Sequence, residues 1–547
     1  MPAYQYPVYP FKRPPELDGD ESLHPVLIAG AGPVGLTLAL DLAQRGVKSV
    51  VLEAHHTLSD GSRALCWAQR TLEIFDRLGV ARPVVDKGFT WSRGRLYHGD
   101  DEVYHFDLQP DRDAQYPAFV NLQQYYAEEY LVDAVHKLPD LIDLRFQNKV
   151  VGVEPRNNRV IARVETPAGG YDIQGQYLVA CDGARSTVRR VMGLDFAGRV
   201  FEDHFLIADV DAKKELPYTE RRFWFLPSFH KGETALCHKQ GDNMWRVDFQ
   251  LGWEGVDPAE EVKPEKAIPR IEAMLGVPVG VTWLSVYTFQ CRRLAKFRHG
   301  RVLFAGDAAH QVSPFGARGG NSGVQDAENL AWKLAMVLDD TAPEALLDSY
   351  NDERGFAADE NIRYTSRTTD FMTAKTEARR MMRQAVLDLA PKHSFARALI
   401  NSGRLSTATV HSESPLNGDD VGIVGGVMPG APCPNLPTPG NSETSFLLQR
   451  LGRGLHFDAL YFGTDAGDIA TLEGLDPLLQ AIVVGRDLMD ETGAIARRFG
   501  ARPGCVYLIR PDQHVAARWD KVDAAAIRHT LDVALARAAA APARATA

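Results

Sequence analysis

Residues 26–54 read VLIAGAGPVGLTLALDLAQRGVKSVVLEA. An apolar run breaks into a glycine turn, a helix-forming stretch follows, and a second apolar run ends on Glu53. That order, strand, turn, helix, strand, opens a doubly wound α/β fold. Gly30-Ala31-Gly32-Pro33-Val34-Gly35 makes the turn. Gly30 permits its tight path, Gly32 lets backbone N–H groups approach a pyrophosphate, and Gly35 allows close helix–strand packing. The helix N-terminus adds partial positive charge. Glu53, 18 positions after Gly35, is placed to accept from ribose hydroxyls. A glycine triplet alone is a weak signal; these four parts in register predict a dinucleotide site. An acid at the strand end favours an unphosphorylated ribose, hence FAD or NAD.

Two distant segments choose between them. YLVACDGARSTVRR (177–190) is a buried strand ending at Asp182-Gly183, and GRVLFAGDAAHQVSPFGARGGNSGVQDAENLAWKL (300–334) is a strand ending at Gly306-Asp307 before a glycine-rich loop and a long helix. Singly, Asp182 and Asp307 read as turn or cap residues. With the first motif and in this order they fit FAD, whose ribitol a strand-end aspartate can bond. A helix N-terminus near Gly319-Gly320-Asn321 would then face the flavin edge that becomes negative on reduction.

The rest of the chain sets the scale. At about 150 residues per domain, 547 residues hold three or four domains. The net charge of −10 argues against nucleic acid or an anionic membrane as partner. Six widely spaced cysteines form no C-x-x-C pair and no metal-ligand cluster, so neither a disulfide framework nor a metal is expected, and the compartment read is the cytoplasm. The N-terminus lacks the apolar core of a signal peptide, and the longest uncharged stretch is too short to span a bilayer. Residues 1–23 read as an arm; 24–200 with 293–400 as a discontinuous nucleotide-binding domain with a helical extension; 201–292 as a mostly antiparallel sheet interrupted by a helix over 263–275; 401–445 as a Gly/Pro-rich linker; 446–537 as a smaller α/β unit; and 538–547 as a disordered tail.

The three motifs together resemble the single-component FAD-dependent aromatic hydroxylases, the family of p-hydroxybenzoate hydroxylase, phenol hydroxylase and 3-(3-hydroxyphenyl)propionate hydroxylase. The resemblance covers roughly residues 24–400, and the run DAENLAWKL (326–334) is characteristic of it. It implies a Rossmann-type FAD-binding domain with an inserted substrate sheet, a helical segment and a C-terminal thioredoxin-like α/β domain. It also implies the reaction, hydroxylation of a phenolic ring by NADH or NADPH and O₂ through a flavin C4a-hydroperoxide, with FAD held tightly and the nicotinamide transiently. A homodimer is compatible with it. Residue by residue, it puts Glu53 on the adenosine ribose, Asp307 on the ribitol, Asp182 near FAD, Arg63 near the flavin and phosphates, and Gln124 on FAD, with Gln123 the alternative by one register. Pro314, Gly319, Gly320 and Asn321 keep the family's loop register; Ala317 stands where a glycine is usual.

On the substrate side, residues 235–251 resemble the substrate strand of p-hydroxybenzoate hydroxylase, with Arg246 and Gln250 in register. The arginine that grips a benzoate carboxylate there falls on Gln240, which cannot replace a bidentate guanidinium, so a phenol, catechol or aryl-alkanoate is favoured. His238 and Asp248 are candidates to accept a phenolic proton, or else satisfy local hydrogen bonds. Trp224, in the run Phe223-Trp224-Phe225, either lines a pocket or belongs to the core. Cys505 has no C-x-x-C partner, so dithiol chemistry is not expected. The alternatives are a polyketide-tailoring or nitro/halophenol-type flavin monooxygenase of the same fold, and a flavin-binding protein without catalysis. A halogenase would carry G-W-x-W-x-I-P, which FWFLPSF does not match.

Overall fold

The computed structural model describes residues 4–61, 63–108, 113–230, 233–400, 405–438 and 445–538. The tail expected over 538–547 lies, from residue 539 on, outside the described residues, as do 401–404 and 439–444 of the expected linker.

The fingerprint strand Leu23–Ala29 is central in a parallel array ordered Val302–Phe304, Gly169–Ala180, Leu23–Ala29, Ser49–Leu52, Ile142–Arg145. Ser49–Leu52 and Val302–Phe304 are buried at every position, as strands covered on both faces must be. The helix Pro33–Gln44 packs against the long helix Gly319–Leu338. Strands from the first, second and third motifs thus become neighbours although some 300 residues separate them in sequence.

The second sheet runs, in order, His310–Gln311, Val279–Leu294, Phe196–Ala212, Met244–Gly252, Thr234–Lys239, Arg221–Phe225, Arg93–His98, Asp101–Asp107. All its pairings are antiparallel except Arg221–Phe225 with Arg93–His98. The sheet is wider than the 201–292 read from sequence. The hairpin 93–107 completes it from the first third of the chain, because its partner strand lies more than 120 residues away and local periodicity carries no trace of that pairing.

Alternation gives this sheet two unlike faces. Leu206, Ala208, Trp224, Cys237, Trp245, Val247 and Phe249 pack under the helix Pro264–Leu275, against Ala267 and Ile271. The opposite face carries Asp209, Arg246 and His238 in one cross-strand row, Ile207, Asp248, Leu236 and Phe223 in the next. Trp224 therefore belongs to the core under the helix; the pocket-lining role considered for it falls instead to its neighbours Phe223 and Phe225.

The C-terminal unit is a mixed sheet ordered Val515–Trp519, Cys505–Ile509, Phe457–Phe462, Leu479–Val483, with Phe457–Phe462 and Leu479–Val483 parallel and the others antiparallel. Numbered along the chain within these four, the order is fourth, third, first, second. The described part of the 401–445 stretch is anchored along its length, first on the FAD-binding side, where Leu405 packs with Trp91 and Phe119 and Ser406 N–H donates to the Gly316 carbonyl, and then on this unit. Asp420–Val421 adds an edge strand, Leu416, Cys433 and Leu436 are buried, and Gly430 N–H donates to the Val515 carbonyl. Its glycines and prolines serve turns between anchored points. A buried ionic cluster ties the unit to the first domain: Glu353 accepts from Lys333 at 2.7 Å and from Arg510 at 2.5 and 3.0 Å, and Asp512 accepts from Arg510 and from Trp332 Nε1.

Candidate active site

The glycine turn has the geometry of an anion cradle. Gly30 has φ +102°, and a Cβ there would lie 2.6 Å from the Cys181 carbonyl oxygen; a Cβ on Gly35 would lie 2.1 Å from the Gly30 carbonyl. The position on Gly32 faces open space. No side chain caps the helix that begins at Pro33, so its first N–H groups are left for a ligand. Glu53 accepts from Ala31 N–H and His55 N–H, both at 2.9 Å, which fixes its carboxylate at the edge of this cradle. These residues fit the pyrophosphate and ribose of FAD.

Asp182 follows the Gly169–Ala180 strand beside Gly30. Its Oδ2 caps the short helix Thr187–Val191 through Val188 N–H at 3.0 Å, while Oδ1 is buried with no hydrogen-bond partner. Burial raises its carboxyl above the usual range. Gly306 (φ +61°) touches Val34 of the fingerprint, where a Cβ would come within 2.9 Å of the valine side chain, and its N–H donates to Asp326. Asp307 next to it opens into the cleft; the enclosing protein raises its carboxyl, opposed by the charges of His310, Arg63 and Arg189. Arg63, exposed, therefore stands on the Asp307 side of the cleft.

Gln124 and Gln123 point in different directions. Gln124 Oε1 accepts from Ala64 N–H at 2.8 Å and its Nε2 donates to Glu128, whose carboxylate also holds Ser59. Gln123 turns the other way, toward the Gly241 carbonyl. The loop carrying Arg63 is thus fixed from the helix Gln124–Val135. It is fixed also from the N-terminal arm, a contact the sequence reading did not include: Tyr6 Oη accepts from Gly61 N–H at 3.1 Å, Tyr9 N–H donates to the His56 carbonyl, and Thr57 Oγ donates to the Pro7 carbonyl.

The loop before the long helix makes a left-handed turn at Ala317. Ala317 adopts φ +55° after Gly316 at +104°, so the alanine takes the left-handed conformation a glycine would take freely. Asn321 rivets the loop: its Oδ1 accepts from Ala68 N–H and Thr71 Oγ, and its Nδ2 donates to the carbonyls of Cys66 and Ala317. All of its side-chain capacity is directed inward, so any contact it makes with a cofactor runs through its backbone. Gly320 passes close to Ala64, where a Cβ would stand 3.2 Å from the alanine Cβ.

Next to this loop lies an aromatic pocket lined by Phe223, Phe225, Phe315, Gly316 and Tyr364, with Arg221 on its rim. The polar face of the second sheet continues from it. Arg246 is bidentate to Asp209 at 2.9 and 2.8 Å, and Gln240 donates to the same carboxylate at 2.5 Å. Asp209 was not singled out from sequence; it is what keeps these two side chains, considered there as substrate contacts, tied to the sheet. His238 Nε2 and Asp248 Oδ1 are buried with no protein partner, and His238 Nδ1 stands 4.0 Å from Cys66 Sγ. Burial, reinforced by Arg221 and Arg246, holds the His238 imidazole neutral, well below its ordinary value. Burial pushes the Asp248 carboxyl from 3.8 up to about 6 against the pull of Arg246 and Arg221. A neutral imidazole and a carboxyl raised to about 6, both with an unsatisfied atom on one face, have the chemistry to receive a hydroxyl group. Among the described residues no cluster of His, Cys, Asp and Glu could hold a metal ion, and no helix is long and apolar enough to cross a membrane.

Residues 24–365 match the family model described as the FAD binding domain. Over 531 residues the chain is 31% identical to the 6-methylpretetramide 4-monooxygenase of Streptomyces rimosus, covering 92% of each protein. It is 34% identical over 355 residues to a flavin-dependent monooxygenase of Mycobacteroides abscessus, covering 60% of this chain and 70% of that one. Among solved structures, the flavin-dependent monooxygenase PieE in complex with FAD and substrate superposes with a TM-score of 0.80 at 23% identity, over 94% of this chain and 99% of that one, a likeness of fold.

Proposed function

Starting from the fact that this chain belongs to the FAD binding domain family and is an FAD-dependent aromatic monooxygenase, we propose that its substrate is a phenol, hydroxylated on the ring at the polar face of the second sheet. The observation that carries this is the pairing of an aromatic pocket with two unsatisfied groups, His238 Nε2 and Asp248 Oδ1. The balance is ArH + O₂ + NAD(P)H + H⁺ → ArOH + NAD(P)⁺ + H₂O. Bound FAD supplies the electron transfer and oxygen activation.

The chain's own residues bind, orient and move protons. Gly30, Gly32 and Gly35 with the Pro33 helix terminus take the pyrophosphate, Glu53 the adenosine ribose, and Asp307 the ribitol; Arg63, Gln124 and Asp182 line the same cleft. Gly306, Pro314, Gly319, Gly320 and Asn321 shape the wall on the flavin side. Asp248, ionised above pH of about 6, accepts the phenolic proton, and the nearby positive charges of Arg246 and Arg221 favour the phenolate, which is the more electron-rich ring. His238 holds the phenolic oxygen through Nε2. Gln240 and Arg246 act through Asp209, keeping the row in place.

A fused-ring phenol of the polyketide type is the narrower reading, favoured by the match to 6-methylpretetramide 4-monooxygenase across 92% of the chain, well beyond residue 365. The proposal extends to a cytoplasmic homodimer, for which light scattering on the purified protein is the test of assembly. A panel of monocyclic and fused-ring phenols, scored by stimulated NADH and NADPH oxidation and by product mass under ¹⁸O₂, tests the function. One labelled oxygen in the product supports it; no phenol accelerating reduction and no labelled product would leave a flavin protein without this chemistry.

A further inference from the structure

The polar row on the second sheet extends one strand further, to an arginine. Asp209, Arg246 and His238 face one another across three strands. One strand further, the pair Arg222–Cys237 puts Arg221 at the level of His238 and on the same face, with Phe223 and Phe225 following on that face. Two arginines thus stand on this face, in opposite situations. Arg246 is fully engaged by a buried carboxylate. Arg221 is half-buried, its guanidinium 5.8 Å from the centre of the Trp91 ring, and makes no ion pair or hydrogen bond with any described residue. Its neighbour Arg222, turned to the other face, pairs with Glu220 and stacks on Tyr218.

A pocket opens at this point. Gly94 lies opposite Arg221 in the adjoining strand, and the Phe106 ring takes the place its Cβ would occupy, 2.3 Å from that position, so both residues belong to the pocket wall. The pocket lining runs directly from Arg221 to Phe223, Phe225 and Phe315. A guanidinium set into an aromatic wall, whose side chain makes no hydrogen bond or ion pair with a described residue, has its donor fork open to a bidentate oxyanion.

We propose that Arg221 is a specificity-determining residue: the phenolic substrate carries a second, anionic group with two oxygens, and Arg221 grips it at the pocket rim while the phenolic oxygen lies at His238 and Asp248. This rests on the phenol reading above. It also accounts for the amide at Gln240, since the anion is received from the neighbouring strand instead. A carboxylate and an ionised 1,3-diketone present the same pair of oxygens.

The test uses holoenzyme and the change in flavin absorbance on ligand binding. The probes are 3-(3-hydroxyphenyl)propionate with its methyl ester, and 5-(3-hydroxyphenyl)cyclohexane-1,3-dione with its neutral enol methyl ether. Wild type is expected to bind the anionic member of at least one pair about 10- to 100-fold more tightly, the range of a charge-assisted bidentate contact. Arg221→Gln collapses that ratio toward one, and Arg221→Lys keeps part of it. Which pair shows the preference identifies the anion. Equal affinity for anionic and neutral members in wild type overturns the inference, with no need of a variant; so does a ratio that Arg221→Gln leaves unchanged. In both cases tight binding of the neutral phenols leaves the phenol reading standing. If no phenol of either kind perturbs the flavin, that reading falls and this inference with it.

Discussion

Replacing Asp248 by Asn separates stability from catalysis in opposite directions. The carboxyl sits on the polar face with Oδ1 buried and unpartnered, and burial raises it from 3.8 to about 6. A raised carboxyl is one whose ionised form the folded state disfavours. At pH 7.5 wild type carries this ionised group, and the displacement sets an upper bound of about 3 kcal/mol on its cost; partial exposure to solvent brings the expected figure to about 1–2 kcal/mol. Asp248→Asn should therefore be more stable than wild type by that amount above pH 6. The gain shrinks as pH falls from 6 toward 3.8 and vanishes below it, where Asp248 is neutral in both folded and unfolded chains. Turnover should move the other way. Loss of a general base lowers kcat/KM by about 10²–10⁴, and the wild-type decline in rate below pH of about 6 should be absent from the variant. Urea unfolding at pH 7.5 and at pH 4, with a pH–rate profile on the best phenol, reads both effects. A variant that is destabilised at pH 7.5, or that keeps the wild-type rate and acid limb, would refute the assignment of Asp248 as the proton acceptor.

Other substitutions follow from single contacts. Gly30→Ala places a methyl 2.6 Å from the Cys181 carbonyl at a left-handed φ; the protein should purify with less than a tenth of its normal FAD content, read by absorbance at 450 nm. Ala317→Gly relieves the +55° conformation and should leave stability unchanged or raise it by up to about 1 kcal/mol in thermal unfolding, where a loss would show that the alanine methyl packs favourably. Tyr6→Phe removes the acceptor for Gly61 N–H; at about 1 kcal/mol per hydrogen bond, FAD dissociation measured by fluorescence should quicken roughly fivefold, with the phenol panel retaining its order of preference.

The legible parts of this molecule were those whose meaning is local. Strand, glycine turn, helix and terminal acid sit within thirty residues, and Gly30 and Gly35 show in their geometry the close approaches that their spacing suggested, while the position at Gly32 is open. Gln124 and Gln123 differ by one position of register, and they turn apart, Gln124 to Ala64 N–H and Gln123 toward the Gly241 carbonyl. The substrate face was legible only in half. Alternation in Phe223-Trp224-Phe225 says that Trp224 opposes its neighbours, but which side faces the site depends on where the helix Pro264–Leu275 lands. Asp209 and Arg246 are 37 residues apart, and no local pattern announces that one satisfies the other. The hairpin 93–107 is the extreme case: its strands look like any exposed pair until a partner from another part of the chain completes the sheet.

The ionic cluster around Glu353 means that ancestry and foldability draw different borders. The family match stops at residue 365, within the helix Asp348–Met372 that carries Glu353, and a truncation near residue 400 is the obvious shortened enzyme. Such a cut would uncover Trp332, which rests edge-on against Phe457, and would strip the buried Glu353 of Arg510, leaving it only Lys333 and Asn329 from the first domain. It would also remove the Asp512 carbonyl that receives Arg70. The shortened chain should come out insoluble, and a chimera that borrows this end from a relative must bring the counterparts of Arg510 and Asp512 with it. What looks like an appendage is, for this protein, part of the floor.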